Sequence, residues 1–182
     1  GLFPPVLPGT KHISMGGAIA ADIHGKNHHV DGTFCDHVES ISLALASGEL
    51  VHCSRSENSE LFHATCGGMG LTGVIVEARL KLAKVSSVSI NTESIAAANL
   101  KESLTLLNEH NEKKYVVAWV DCLARGAALG RGIIHCGDHS DGGELRHRES
   151  SSIGVPFTTP SGGWSLALNT GLVAKSPAIS AP

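Results

Sequence analysis

Apolar and polar positions alternate most clearly over 38–53, within the first third of the chain. Val38, Ser40, Ser42 and Ala44 fall on one side of a period-two pattern, and Glu39, Ile41, Leu43 and Leu45 on the other. Ser47-Gly48 follows, then Leu50, Val51 and Cys53. The pattern predicts a β-hairpin over 38–53 turning at Ser47-Gly48. A short helix is predicted over 56–66, with Leu61, Phe62 and Thr65 on one side and Gly67 as its stop. Residues 74–85 alternate again and open on β-branched side chains, so they predict a strand. A strand over 88–95 then begins a new sheet. Leu100, Leu104 and Leu107 stand at helical spacing in a helix over 100–111. Strands are predicted over 115–123 and 129–136. Ahead of the hairpin, Pro4, Pro5 and Pro8 hold residues 1–8 extended, because proline fixes φ and disfavours helix in the residue before it. Residues 11–15 predict a short strand, and 16–23 a compact turn with a short helix opening at Gly16-Gly17. The stretch 139–182 is rich in Ser, Gly and Pro and predicts loop or a frayed end. The class is α+β, with a domain boundary near Val85 that separates 1–85 from 86–182.

Composition narrows this picture. The 182 residues are 42% hydrophobic and 17% charged, enough to build a core and unlike a disordered tail. The formal net charge is −3 and no basic cluster occurs, so nothing favours nucleic acid as a partner. No apolar run approaches the roughly 20 residues that span a bilayer. No leader-peptide pattern falls within the 182 residues, which open on Gly1, so this bears on those residues alone. The five cysteines are widely spaced with no C-x-x-C pair, and read as reduced thiols that pack as small hydrophobes.

Candidate chemistry gathers in 8–31, PGTKHISMGGAIAADIHGKNHHVD. Gly9, Gly16 and Gly17 leave the backbone bare to a close approach. Ala18, Ala20 and Ala21 keep the next turns narrow, and His24, Lys26, His28 and His29 follow with titratable groups. On residue types alone, a cofactor-holding segment and a Gly-rich turn feeding a surface loop fit equally. Asp22, His24, His28, His29, Asp31 and His37 could be read as zinc or iron ligands, although no pair falls on a recognisable metal motif. His135, Cys136, Asp138 and His139 form a second loose cluster, expected in a loop. Residues 68–73 spell G-x-G-x-x-G, with Glu93 at the distance of an acidic ribose ligand. That motif needs a strand before it and a helix after it. Here the predicted order is reversed, so the turn reads as a tight helix-to-strand connection.

The strings LPGTKHISMGGAIAADIHGKNHH and LFHATCGGMGLTGVIVEARL resemble the second half of the FAD-binding domain of the PCMH, or vanillyl-alcohol-oxidase-type, flavoproteins. The likeness is dense from Gly1 to about Lys84, thins up to His135 and is weak after Gly142. It implies an antiparallel sheet with helices, followed by the start of a substrate, or cap, domain. It implies FAD as cofactor, contacted at Gly9, Ser14, Met15, Gly16, Gly17, Ala21, Asp22, Ile23, His24 and Ile75. By the same resemblance His24 orients and tunes the flavin, Lys26 faces the substrate, and both are catalytic. Their types suit alcohol oxidation, which needs a hydride acceptor and a group that holds or takes the hydroxyl proton. The implied reaction takes a secondary alcohol of a sugar or polyprenyl-phosphate sugar to the ketone. Its implied partners are an NAD(P)-dependent reductase and, through a lipid substrate, a membrane surface; the location would be cytoplasmic or at the cell envelope. An aldonolactone or alditol oxidase of the same superfamily is the alternative enzyme, and a metal-binding module without catalysis the alternative class. The chain departs from the family at His63, where tryptophan is usual, and at Cys35, where glycine is usual. The resemblance implies a pyrophosphate-wrapping loop and a segment that closes the FAD domain outside these 182 residues, so the chain is expected to be a fragment.

Overall fold

The predicted hairpin forms the centre of the first sheet. In a computed structural model describing residues 1–10 and 12–142, β2 (Val38–Ala44) pairs antiparallel with β3 (Leu50–Ser54). The turn sits one step earlier than predicted. Gly48 N–H donates to the Leu45 carbonyl, and Gly48 takes φ +87°, which leaves Ala46-Ser47 as the central pair. A left-handed glycine after the turn matches the twist of the two strands, which Ser47-Gly48 as central pair would not supply. β4 (Val74–Leu80) pairs antiparallel with the other edge of β2, giving the order β3-β2-β4.

β4 ends five residues before the predicted strand does. It loses its partner where β2 begins at Val38, and Lys81 N–H turns to the His37 carbonyl (2.8 Å). The chain resumes as β5 (Ala83–Lys84), whose partner is β1 (Leu2–Phe3) at the N-terminus.

No strand forms at 12–15. Ser14 instead caps the helix α1 (Met15–Ala20), its Oγ accepting from Gly17 N–H at 3.1 Å. The helix therefore opens at Ser14 and contains both glycines, rather than starting at them. Helix propensity alone does not favour Met-Gly-Gly-Ala-Ile-Ala, since glycine costs about 1 kcal/mol against alanine. Burial of Ala18 and Ile19 compensates, together with two donors from afar: Gly67 N–H reaches the Ile19 carbonyl (3.0 Å) and Met69 N–H the Ala20 carbonyl (2.8 Å). The turn that spells G-x-G-x-x-G thus closes the exposed end of α1. After the short helix α2 (His28–Asp31), the next α-helix in the chain is α3 (Ser59–Thr65), which this turn joins to β4 as a helix-to-strand connection. The core beneath is continuous across these elements: Val6, Ala18, Ile19, Phe34, Cys35, Val38, Ile41, Cys53 and Phe62, with Ile75, Ala78 and Leu80 packed against it.

The second sheet has the order β6-β8-β7, all antiparallel, from β6 (Ile90–Ala97), β7 (Tyr115–Val120) and β8 (Gly132–His139). β8 runs three residues past its predicted end, so His135 to His139 lie on a strand and not in a loop. Helix α4 (Leu100–Glu109) packs on this sheet, capped by Asn99 Oδ1 from Glu102 N–H (3.1 Å). Its inward face is not the predicted leucine row: Leu100 and Leu104 are exposed while Ser103 is buried, its hydroxyl donating to the Gly130 carbonyl at 2.7 Å. The helix is rotated toward Ser103 because the loop before β8 also takes Leu100 N–H, at the Leu129 carbonyl (2.7 Å). All but the first four residues of the predicted tail, from 143 onward, lie outside the described residues.

Candidate active site

After α1 the chain makes two reversals that expose His24. Asp22 adopts φ +41°, and its carboxylate accepts from Cys35 N–H (2.9 Å). Ile23 accepts from Phe34 N–H, and His24 forms an isolated bridge with Thr33. His24 is left on the surface, its ring edge-on to His28 at 5.9 Å. Gly25 and Asn27 fix the next step. Asn27 is buried, with its amide donating to the Pro5 carbonyl (2.8 Å) and to Asp31, and a Cβ on Gly25 would collide with the Asn27 amide oxygen. Between those two buried positions Lys26 points outward.

Lys26 lines a cavity of about 200 Å³. One wall is the extended N-terminal segment, including Phe3, Leu7 and Gly9; the other comes from the second sheet, with Ile90, Tyr115 and His139. The Lys26 carbonyl accepts from Val116 N–H (2.9 Å), which locks the lysine's backbone beside Tyr115 on β7. Lys26 makes no ion pair among the described residues. Sequence reasoning did not single out Tyr115, and it named His139 only in the second loose cluster. They come together because β7 and β8 pair antiparallel, with Tyr115 opposite Gly137, two positions from His139. The sequence signal for it was two predicted strands, 115–123 and 129–136, of which the second stops short of His139. Burial, with a smaller part from Asp31, pushes the Tyr115 phenol up to about 12.

The residues assigned to FAD by resemblance fall into two places. Ser14, Met15, Gly16 and Gly17 form the first turn of α1, and Gly16 lies over Ile75, whose Cβ is the nearest atom, 4.0 Å from where a glycine Cβ would sit. Ala21, Asp22 and Ile23 lead from that helix to His24. Gly9 is on the cavity rim with Lys26, and a Cβ there would meet nothing within 4 Å. Bare backbone at Gly9 and Gly16 fits a large planar cofactor lying close to the main chain. The Asp22 carboxylate is occupied by Cys35, so contact at this position would run through its backbone.

The histidine clusters are committed elsewhere. His29 Nε2 meets the Lys113 carbonyl (2.9 Å), His37 Nε2 the Asp31 carbonyl (2.7 Å), and Asp31 pairs with Lys114 (3.1 Å). On β8, His135 bonds Ser94 while Asp138 takes Lys113 and the Lys114 N–H; successive positions face opposite sides of the strand. Among the described residues no group of three metal-ligating side chains converges. All five cysteines are unpaired thiols.

Residues 1–54 match the FAD binding domain family. Decaprenylphosphoryl-beta-D-ribose oxidase of Mycolicibacterium smegmatis is 39% identical over 140 residues, covering 75% of this chain and 30% of that protein. A Streptomyces coelicolor protein described as an uncharacterized protein in the mprA 5′ region is 41% identical over 141 residues, 77% of this chain and 38% of its own length. Cytokinin dehydrogenase 9 of Oryza sativa subsp. japonica is 34% identical over 83 residues, 45% of this chain and 16% of that protein. The chain therefore spans 30% to 38% of the length of the first two relatives. The match of residues 1–54 and the two long alignments agree: this part of the chain belongs to the PCMH-type FAD-binding flavoproteins, and its cofactor is FAD.

Proposed function

We propose that the protein is an oxidoreductase that takes a secondary alcohol of a sugar or sugar-lipid to the ketone, with the 2′-hydroxyl of decaprenylphosphoryl ribose as the leading substrate. The observation that carries this reading is Lys26 on the rim of a cavity shared with Gly9, in a chain 39% identical to a decaprenylphosphoryl-beta-D-ribose oxidase over 140 residues. FAD, when bound, supplies the hydride acceptor. The chain's own residues do the rest. Gly9, Ser14 to Gly17, Ala21 to Ile23 and Ile75 would hold the cofactor, with glycines that admit it to the backbone. His24, exposed at the end of that run, would orient it. Lys26 would hold the substrate hydroxyl or take up the proton that it loses as the hydride leaves the carbinol carbon. Residues 1–85 would be the cofactor part and 86–182 the start of a substrate domain. A ketone product is what an NAD(P)-dependent reductase consumes, so such a partner would complete an epimerisation, and a polyprenyl substrate would bring the protein to a membrane surface.

The test is Lys26→Ala in the full-length protein. Turnover of a prenylphosphoryl ribose should fall by a factor of about 100 or more while FAD content is unchanged; undiminished turnover would remove Lys26 from the mechanism. A protein that stays colourless after FAD is added would end the oxidoreductase reading altogether.

A further inference from the structure

The cavity beside Lys26 holds a second polar group with a fixed hydrogen-bonding sense. His139 Nδ1 lies 2.9 Å from the carbonyl of buried Ser87, an atom that only accepts. In the neutral ring Nδ1 therefore carries the proton, and Nε2 presents a lone pair. Tyr115 Oη is 3.0 Å from that Nε2, so the phenol must donate to it. With its one proton committed, the oxygen of Tyr115, a residue that lines the cavity, is left as an acceptor. The Lys26 ammonium on the same cavity is a donor only. The arrangement does not depend on long side chains alone, because the Lys26 carbonyl and Val116 N–H tie the two backbones together at 2.9 Å. Phe3 packs edge-on against His139 at 5.9 Å, and Leu7, Val88 and Ile90 make the remaining surface apolar.

An acceptor and a donor at one place are the complement of an alcohol, whose oxygen receives one hydrogen bond and whose proton gives another. An apolar wall beside them suits the C–H face of a sugar ring. We propose that Tyr115 is a further substrate-contacting residue: its oxygen accepts the hydrogen bond of the substrate hydroxyl to which Lys26 donates, and His139 is the positioning residue that keeps it an acceptor. The assignment rests on the sugar-oxidation reading above and adds the group that selects for a hydroxyl at the reacting carbon.

The test measures binding by calorimetry on the full-length protein with its FAD pre-reduced, so that no turnover occurs. The probes are a short-chain prenylphosphoryl-β-D-ribose and its 2′-deoxy counterpart. Tyr115→Phe should weaken the ribosyl ligand about tenfold, the worth of one lost hydrogen bond, and leave the deoxy ligand unchanged. A loss of fit without that bond would weaken both ligands equally, and equal weakening, or none, overturns the proposal. Should Tyr115→Phe fail to retain FAD, His139→Ala decides. It leaves the phenol in place but frees its proton, and should weaken the ribosyl ligand alone, by about threefold; equal effects on both ligands again overturn it. If the unaltered protein binds neither ligand, the sugar-oxidation reading falls, and this assignment with it.

Discussion

Two residues flanking Lys26 control how that lysine is presented. Gly25 has no room for a Cβ against the Asn27 amide and the Leu7 carbonyl, and Asn27 spends its own amide on Pro5 and Asp31. Gly25→Ala should therefore cost about 1–3 kcal/mol, read as a lower denaturant midpoint with the slope unchanged. The cysteines give a second prediction at this scale. Cys35 donates toward the Ile19 carbonyl; the neighbouring Cys66 thiol and then burial push its own thiol up, while Cys35 holds the Cys66 thiol below its usual value. Cys122 is exposed, and Cys53 and Cys136 are buried, with desolvation raising both. Iodoacetamide should modify Cys122 and Cys66 in the folded protein and reach Cys35, Cys53 and Cys136 only after unfolding, as peptide mass mapping would record. Rapid labelling of Cys35 in the native state would contradict the packing around α1.

At the scale of elements, α1 depends on its ends more than on its interior. With two glycines in six residues, it is held by the Ser14 cap and by the two N–H groups of the glycine turn. Ser14→Ala should cost about 1 kcal/mol of stability, measured by denaturant unfolding. The link between β7 and β8 carries a pH signature. Asp138 accepts from Lys114 N–H and pairs with Lys113, and both hold its carboxyl below the usual carboxylate range. A carboxyl lowered on folding stabilises the fold above its unfolded value and loses that contribution as pH falls through the folded one. Asp138→Asn should therefore be less stable than the parent at neutral pH, and the difference should fade below roughly pH 4. A difference that grew on acidification would reverse the assignment.

For the molecule as a whole, the two sheets are joined beside the candidate site itself. Val116 N–H meets the Lys26 carbonyl, His29 meets the Lys113 carbonyl, and Lys114 pairs with Asp31. The loop that bears His24 and Lys26 is therefore braced by the second sheet, and any group that settles on it should stabilise both. FAD added in excess is expected to raise the melting temperature of the full-length protein in proportion to the logarithm of its concentration, as binding to the folded state alone requires. A melting point indifferent to FAD would mean that the native state does not hold it.

Much of this was legible in the residues. The alternation over 38–44 specified the central strand, because a period of two admits only one face to the core. The order of elements around 68–73 excluded a dinucleotide turn, and the string DIHGKNHH led to the family. Tertiary structure decided what local pattern could not. Lys11 to Met15 alternate as a strand would, yet Ser14 caps a helix there, because Gly67 and Met69, some fifty residues on, satisfy carbonyls that a short glycine-containing helix would otherwise leave bare. The leucine spacing of α4 fixed its period but not its rotation, which Gly130 and Leu129 set through Ser103 and Leu100. The cavity is the clearest case. Lys26 stood out by type, but its neighbours Tyr115 and His139 are 89 and 113 residues away, and only the antiparallel pairing of β7 with β8 brings them to one wall. Local sequence sets torsions and faces through short-range sterics and burial, whereas a site built from distant strands exists only once their hydrogen-bonded register is formed.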